Sequence, residues 1–394
     1  MKKSVNIIGG GPAGLALAAH LDSNKFDITV YEKNKSFGRK FLVAGKGGFN
    51  LTHSETIDKL ITRYTPPDFL NNALLKFDNL AFRKWLDSIG IPTIIGSSKR
   101  VYPETGIKPI EVLNTIIDIL KEKGVSFKYD HCWNGWCNKN NLLFNKNTYI
   151  SGDYNVFALG GGSWKVTGSN NSWLSHFVQK KISATPFIAS NCGYRVDWSN
   201  TIIQRFEGSP LKNITISSGS KTQIGEAVIT KFGLEGNAIY GLSPEIRNQF
   251  KSTGSATIYI DLKPTLKLDD IISILLRSTA KISDTLKKKL KLSSPMIALL
   301  KTSLSKESYM DVLILAKNIK ALPIKLTGTS PVDEAISTVG GIPLSEIDDN
   351  FQLYNQLNNY CIGEMLDWDA PTGGYLLQGC FSMGVHLAQH FNEK

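Results

Sequence analysis

Cysteine is scarce: the 394 residues hold five, Cys132, Cys137, Cys192, Cys361 and Cys380. No two form a C-x-x-C pair, and four residues separate Cys132 from Cys137, so the spacing excludes a dithiol redox centre and a structural zinc site. Buried, reduced thiols are the expectation for most of them. Long apolar runs are also missing, and nothing approaches the roughly 20 residues needed to cross a bilayer. The basic opening Met1-Lys2-Lys3-Ser4 is followed by only Val5 to Ile8 before glycines begin, too little for a secretory leader, and a cytoplasmic location is the default expectation. Acidic residues are in deficit, with 34 Asp and Glu against 45 Lys and Arg, a net charge of +11. That balance points to an anionic substrate or nucleic acid among the partners, although basic proteins without such partners are common. With 42% hydrophobic and 20% charged residues, the chain is neither disordered nor fibrous.

Glycine is not scarce, and its placement is informative. Val5 to Ile8 reads as a buried strand that enters Gly9-Gly10-Gly11-Pro12-Ala13-Gly14, a G-x-G-x-x-G turn opening the helix Leu15 to Leu21. Gly9 permits the tight turn, Gly11 lets backbone approach a pyrophosphate, Gly14 lets helix and strand pack closely, and Pro12 and Ala13 begin the helix whose free N–H groups favour an anion. A second strand, Asp27 to Tyr31, ends in Glu32, the carboxylate expected on a ribose hydroxyl, with Lys33 beside it. The pattern predicts a dinucleotide site.

The remaining texture divides the chain. Residues 1–190 alternate strands and helices, with a helix over Phe69 to Ile89, another over Pro109 to Lys123, and strands at Val125 to Tyr129 and Tyr154 to Leu159, which implies a parallel sheet. Residues 191–265 with 321–335 read as a β-rich inserted domain, a small barrel or sandwich. Residues 266–320 return to a helical period and carry the run Lys287-Lys288-Lys289-Leu290-Lys291. Residues 336–394 read as the return of the first domain. The fold class is therefore α/β, a Rossmann-like dinucleotide domain interrupted by a β-barrel-like domain and a small helical domain.

The return segment selects the cofactor. A short strand within Asn359 to Ile362 runs into Gly363-Glu364, and Thr372-Gly373-Gly374-Tyr375-Leu376 opens a final helix. A strand leading to Gly-Asp/Glu and then a glycine-started helix holds a ribityl chain and sets a helix N-terminus beside a flavin, a device for which a nicotinamide cofactor has no use. FAD is the cofactor expected. No second G-x-G-x-x-G follows a strand, so NAD(P)H is expected at most as a transient electron donor.

The segment Gly38-Arg39-Lys40-Phe41-Leu42-Val43-Ala44-Gly45-Lys46-Gly47-Gly48-Phe49-Asn50-Leu51-Thr52 resembles the G-R-K-x-L-x-S-G-x-G-R-C-N-x-T-N stretch of the bacterial YhiN/BaiN-type flavoproteins. Arg100 to Pro103, Leu159-Gly160-Gly161-Gly162-Ser163-Trp164, Thr230 to Gly236, Val339 to Ile342, and Gly363 through Tyr375 follow in that family's order. The resemblance covers nearly the whole chain. It implies an FAD domain interrupted by a barrel and a helical domain, with Arg39, Lys40, Gly45, Gly47, Asn50, Gly373, Gly374, Tyr375 and Leu376 along the flavin. Gly48 and Leu51, in the same segment, and Gly160 and Gly161 are further expected cofactor contacts. Gly48-Phe49 replaces the family's Arg-Cys, and Asn170-Asn171-Ser172 replaces its Gly-Asp-Gly, so the chain is similar to a side branch.

The activities that the resemblance implies use flavin as hydride donor or acceptor: reduction of carbon–carbon double bonds in steroid-like acids, amine oxidation, and dihydrouridine formation in ribosomal RNA. Double-bond reduction needs a proton donor, for which Tyr375, Tyr102, Lys46 and Arg100 are the candidates, although each also has a packing or charge-neutralising explanation. Over Asp261 to Ser330 there are thirteen Lys and Arg against six Asp and Glu, a net of +7. A basic helical insertion beside a cleft suits RNA, while a solvated helical cap explains the charge equally well. A small-metabolite reductase or oxidase, and a flavin-holding protein without turnover, are the other readings.

Overall fold

Strand β1 (Lys3–Ile8) is buried from Val5 onward and turns at once into α1 (Pro12–His20), a small-residue helix with Pro12 in its first turn. Residues 1–43, 48–137 and 141–394 are described by this computed structural model. In chain order there follow β2 (Phe26–Tyr31), β3 (Thr52–His53), β4 (Thr93–Ile95), β5 (Arg100–Pro103), α2 (Pro109–Glu122), β6 (Ser126–Lys128), β7 (Tyr154–Phe157), β8 (Asn359–Cys361) and the last helix, α3 (Tyr375–Glu393). Strands pair in the order β8-β7-β1-β2-β6, every pairing parallel. Such a sheet is expected to be near-continuously apolar, as β1 from Val5 onward and β7 are apart from one asparagine in each.

Three asparagines depart from that rule together. Asn6, Asn155 and Asn359 are register partners on β1, β7 and β8. Asn6 Nδ2 donates to Asn155 Oδ1 at 3.0 Å, Asn155 Nδ2 to Asn359 Oδ1 at 3.4 Å, and the Trp136 indole to the same Oδ1 at 3.0 Å. A one-residue slip would leave buried amides unpaired, so the ladder pins register across the centre of the sheet.

Helices α1 and α3 cross at short range because Gly384 lacks a side chain. A Cβ there would lie 2.7 Å from the Ala13 carbonyl oxygen and 2.8 Å from the Leu17 nitrogen. On the other side of α3, Phe381 stacks on Phe82 with centroids 4.3 Å apart. The single helix expected over Phe69 to Ile89 is two, Asn71–Lys76 and Asn79–Ser88, because the Asp78 carboxylate caps the second by accepting from the Ala81 N–H at 2.7 Å.

Contacts group the described residues into two units, Met1–Ala189 with Val332–Lys394, and Ser190–Pro331. Strands β1 to β8 and helices α1 to α3 belong to the first. The second holds a seven-stranded antiparallel sheet, with Pro210–Ser218 and Lys221–Ile229 as its longest strands, and the helices from Leu268–Leu276 to Val312–Lys320. Residues 191–331 of the expected β-rich and helical stretches lie in it, while 332–335, expected with the β-rich domain, fall in the first unit. No helix among the described residues is long and apolar enough to cross a membrane.

Candidate functional site

The carboxyl ends of β1, β2 and β7 open into a cleft wholly within the first unit, enclosing about 1500 Å³ of space with its mouth included. The glycine turn forms its floor. Gly9 has φ +114°, and a Cβ there would sit 2.2 Å from the Ala158 carbonyl oxygen; Gly14 is pressed against the Gly9 carbonyl, 2.3 Å from where its Cβ would be. At Gly11 a Cβ would meet nothing within 4 Å. Gly14 therefore packs behind the turn and does not line the cleft, whereas Gly9, Gly11, Pro12 and Ala13 do. No side chain caps α1 and no acid lies in its first turn, so its positive end is available to an anion.

Glu32 closes one end. Its Oε2 accepts from the Gly10 N–H at 3.1 Å and its Oε1 from the Asn34 backbone and side-chain amides at 2.9 and 2.6 Å. Lys33 and Arg39 stand on the same rim, Lys33 Nζ 3.1 Å from Asn170 Oδ1 and Arg39 Nη2 2.9 Å from the Val166 carbonyl. Across the cleft Lys40 Nζ pairs with Glu364 Oε2 at 3.1 Å and donates to Ser163 Oγ at 3.0 Å. Gly160, Gly363 and Leu376 complete this wall with Leu377 and Cys380. Burial pushes the Cys380 thiol well up, followed by the Glu364 charge, so it stays protonated. Asn50 donates to the Gly48 carbonyl at 3.0 Å while its buried Oδ1 finds no donor among the described residues. An uncommitted acceptor in the cleft wall, an uncapped helix start and a glycine with open space above it fit a bound dinucleotide with an N–H-bearing ring.

Other expected contacts stand elsewhere. Gly161 packs on Thr338, whose Oγ1 would lie 2.4 Å from a Cβ, and Leu51 is in the core. Gly48 and Gly373 lie under the Tyr102 ring and the Arg100 guanidinium, and Gly374 lies on the Thr52 backbone, 2.6 Å from a would-be Cβ. Gly45, Lys46 and Gly47 are outside the described residues.

Tyr375, Tyr102 and Arg100 do not line the cleft; they gather at the head of α3, beside its Leu376 and Leu377 wall. The antiparallel β3–β5 pairing sets His53 opposite Arg100. Tyr375 stacks on His53, centroids 5.0 Å apart and planes 17° apart, and its hydroxyl donates to Glu55 Oε2 at 2.8 Å. Arg63 Nε donates to the same oxygen at 3.0 Å and its Nη2 pairs with Oε1, while Tyr64 donates to the Tyr375 carbonyl at 2.8 Å. Burial alone would raise the Glu55 carboxyl, but hydrogen bonds from Arg63 and Tyr375 outweigh it and hold it below its usual range. Burial, then Glu55, pushes the Tyr375 phenol well above its ordinary value. His53, Glu55 and Arg63 carry no motif; their signal is only that His53 and Glu55 follow directly on the glycine-rich segment ending at Thr52. Phe49, Trp133 and Trp173, which wall the cleft with apolar surface, are likewise unmarked in sequence.

The family profile described as HI0933-like protein Rossmann domain matches residues 3–390. A ribosomal RNA dihydrouridine synthase of Haemophilus influenzae is 25% identical over 396 residues, covering 97% of this chain and 96% of that protein. A 3-dehydro-bile acid delta(4,6)-reductase of Clostridium scindens is 23% identical over 418 residues, covering 96% and 97%. Among solved structures, the 3-ketosteroid-delta4-(5alpha)-dehydrogenase of Rhodococcus jostii RHA1 overlies 98% of this chain and 97% of its own at 13% identity and a TM-score of 0.49. The chain belongs to the HI0933-like Rossmann-domain family and is an FAD-dependent oxidoreductase.

Proposed function

We propose that the chain reduces a ring carbon–carbon double bond. What carries this reading is that two relatives matched from end to end, named for molecules as unlike as ribosomal RNA and a bile acid, share in their names the saturation of such a bond. When bound in the cleft, FAD would supply the hydride, with a nicotinamide nucleotide as its transient electron donor. The chain's own task is to bind, orient, exclude water and deliver a proton. The N-terminus of α1 and the Arg39 and Lys40 cations meet the diphosphate, Glu32 meets the adenosine ribose, and Phe49, Trp133 and Trp173 shield the interior of the cleft.

Between the two kinds of acceptor, the basic second unit favours RNA. Lys287, Lys288, Lys289 and Lys291 are all exposed, at and beyond the C-terminal turn of the helix Ile282–Lys288. If they meet a phosphate backbone, replacing all four by Gln weakens RNA binding and makes the slope of log affinity against log salt shallower by about 0.7–0.9 for each phosphate no longer neutralised. FAD content stays unchanged, because the run lies outside the dinucleotide unit. Modified-nucleoside analysis of total RNA from a deletion strain tests the RNA reading directly, with loss of dihydrouridine as the expected result. Unchanged dihydrouridine together with an unchanged salt slope makes a small metabolite the substrate.

A further inference from the structure

A second hollow opens along α3, beyond the Leu376 and Leu377 wall. It encloses about 700 Å³ with its mouth included and is lined by Asn72, Leu75, Lys76, Asp349, Asn350 and His386, none of which borders the FAD cleft. His386 lies nine residues past Leu377 on the same helix, roughly 13 Å along its axis. All of these residues belong to the first unit.

The floor of the hollow is a fixed imidazole. His386 is 4% exposed, Phe351 packs edge-on against its ring with centroids 5.4 Å apart, and its Nε2 stands 3.2 Å from Asn350 Oδ1. The Asp348 carboxylate holds the turn that presents Asp349 and Asn350, accepting from the Asn350 and Gln352 N–H groups at 2.9 and 2.8 Å. Burial, then the Lys76 charge and more weakly His390, lowers the imidazole to about 4 against the pull of the Asp349 backbone and carboxylate, so the ring is neutral at neutral pH. A neutral ring has one N–H, and with Nε2 donating to Asn350 the other nitrogen is a bare acceptor. That nitrogen, Nδ1, is buried and has no hydrogen-bond partner among the described residues. Buried acceptors are seldom left so, and this one calls for a donor.

Two charges flank the acceptor without meeting each other. Lys76 and Asp349 both act on the imidazole, with opposite signs, yet neither is held in an ion pair among the described residues. Lys76 ends the helix Asn71–Lys76, with Leu75 exposed beside it and Asn72 one turn earlier on the same side. Opposite charges held apart over a buried acceptor match a molecule that carries both signs and an N–H.

We propose that this hollow binds a small zwitterion of the α-amino-acid type with an apolar side chain. Its ammonium group meets the Asp349 carboxylate and donates to His386 Nδ1, its carboxylate meets Lys76 and the Asn72 amide, and its side chain rests on Leu75. A lone anion or a lone cation leaves one of the two charges unmatched and is discriminated against on that ground. The site is independent of the double-bond reading, since it shares no residue with the cleft.

The test titrates FAD-loaded protein with L-leucine at neutral pH, reading saturation transfer to the leucine methyl protons by NMR and the melting temperature alongside. Leucine binds in the millimolar range and raises the melting temperature, because a ligand of the folded state alone stabilises it. Three analogues each bind at least about tenfold more weakly, the scale of one lost hydrogen bond to a charged group. They are 4-methylpentanoate, which lacks the ammonium group, 3-methylbutylamine, which lacks the carboxylate, and N,N,N-trimethyl-leucine, which keeps both charges and has no N–H to give. Lys76→Gln and Asp349→Asn, both at exposed positions, weaken leucine binding by a similar factor and leave FAD content and the flavin spectrum unchanged. His386→Phe keeps a ring against Phe351 and abolishes the preference for leucine over its trimethyl derivative. No leucine binding at tens of millimolar, binding that survives both exposed substitutions, or single-charge analogues that bind as tightly as leucine overturns the proposal.

Discussion

Gly11→Asp loses FAD and keeps the fold. A side chain at this position meets no atom within 4 Å, so the chain around it need not move. The new carboxylate nevertheless enters the uncapped start of α1, where the diphosphate is to be bound, and replaces an attraction by a like-charge repulsion in a poorly solvated cleft. The expected loss of affinity is about 100-fold or more, or about 2.7 kcal/mol, read by titrating apoprotein with FAD. Gly9→Ala, two residues earlier, behaves in the opposite way: with φ +114° and a Cβ 2.2 Å from the Ala158 carbonyl oxygen, it lowers thermal stability first. A Gly11→Asp protein that still saturates with FAD at wild-type concentrations, or one that no longer folds, contradicts this division of labour between the two glycines.

Gly374→Ala is the second large effect, and it acts on stability. Gly374 holds φ +100°, and its missing side chain would lie 2.6 Å from three backbone atoms of Thr52. Backbone atoms of a paired strand cannot step aside as a flexible side chain can. Strain at the positive φ and displacement of β3 together cost roughly 2–4 kcal/mol. Differential scanning calorimetry reads the result, with Cys132→Ser as the comparison: that thiol is exposed, and its replacement shifts the melting temperature little. Equal melting temperatures for the two variants would show that α3 does not rest on Thr52 as described.

That glycine also shows where sequence reasoning reaches its limit. The cluster Gly373-Gly374 reads as a helix start facing a flavin, but composition does not say what else approaches it. Here it is the Arg100 side chain and the β3 backbone. By contrast the strand, glycine turn, helix, second strand and terminal Glu32 are legible because every interaction that defines them spans few residues. The parallel order of β1 and β2 follows from the same local unit. Register at the centre of the sheet does not, since it depends on Asn6, Asn155 and Asn359 meeting from three distant segments. The helix break at Asp78 is available from its capping chemistry, yet an apolar period running through it reads as continuous. The cluster at the head of α3 is the least visible part. His53, Glu55, Arg63, Arg100, Tyr102 and Tyr375 come from four segments, and only folding shows that one tyrosine is tied to a carboxylate while the other is held between glycines.

The Lys40–Glu364 pair links this picture to the cofactor. Its two charges belong to the same wall of the cleft, with Lys40 joined also to Ser163 and Gly363, next to Glu364, lying against Ala13 of α1. A partly buried pair of this kind contributes more to geometry than to net stability. What it holds in place is the junction of the glycine turn with the return segment, the feature that distinguishes a two-part FAD cleft from a nicotinamide domain.

The measurement closest to the centre of the account is identification of the bound chromophore. Purified protein should be yellow, and denaturation followed by chromatography should release FAD, near one per chain after saturation, because the cleft runs from Glu32, the expected adenosine end, through the α1 N-terminus to the Leu376 wall. Release of FMN alone, or a colourless protein that added FAD cannot saturate, would contradict it.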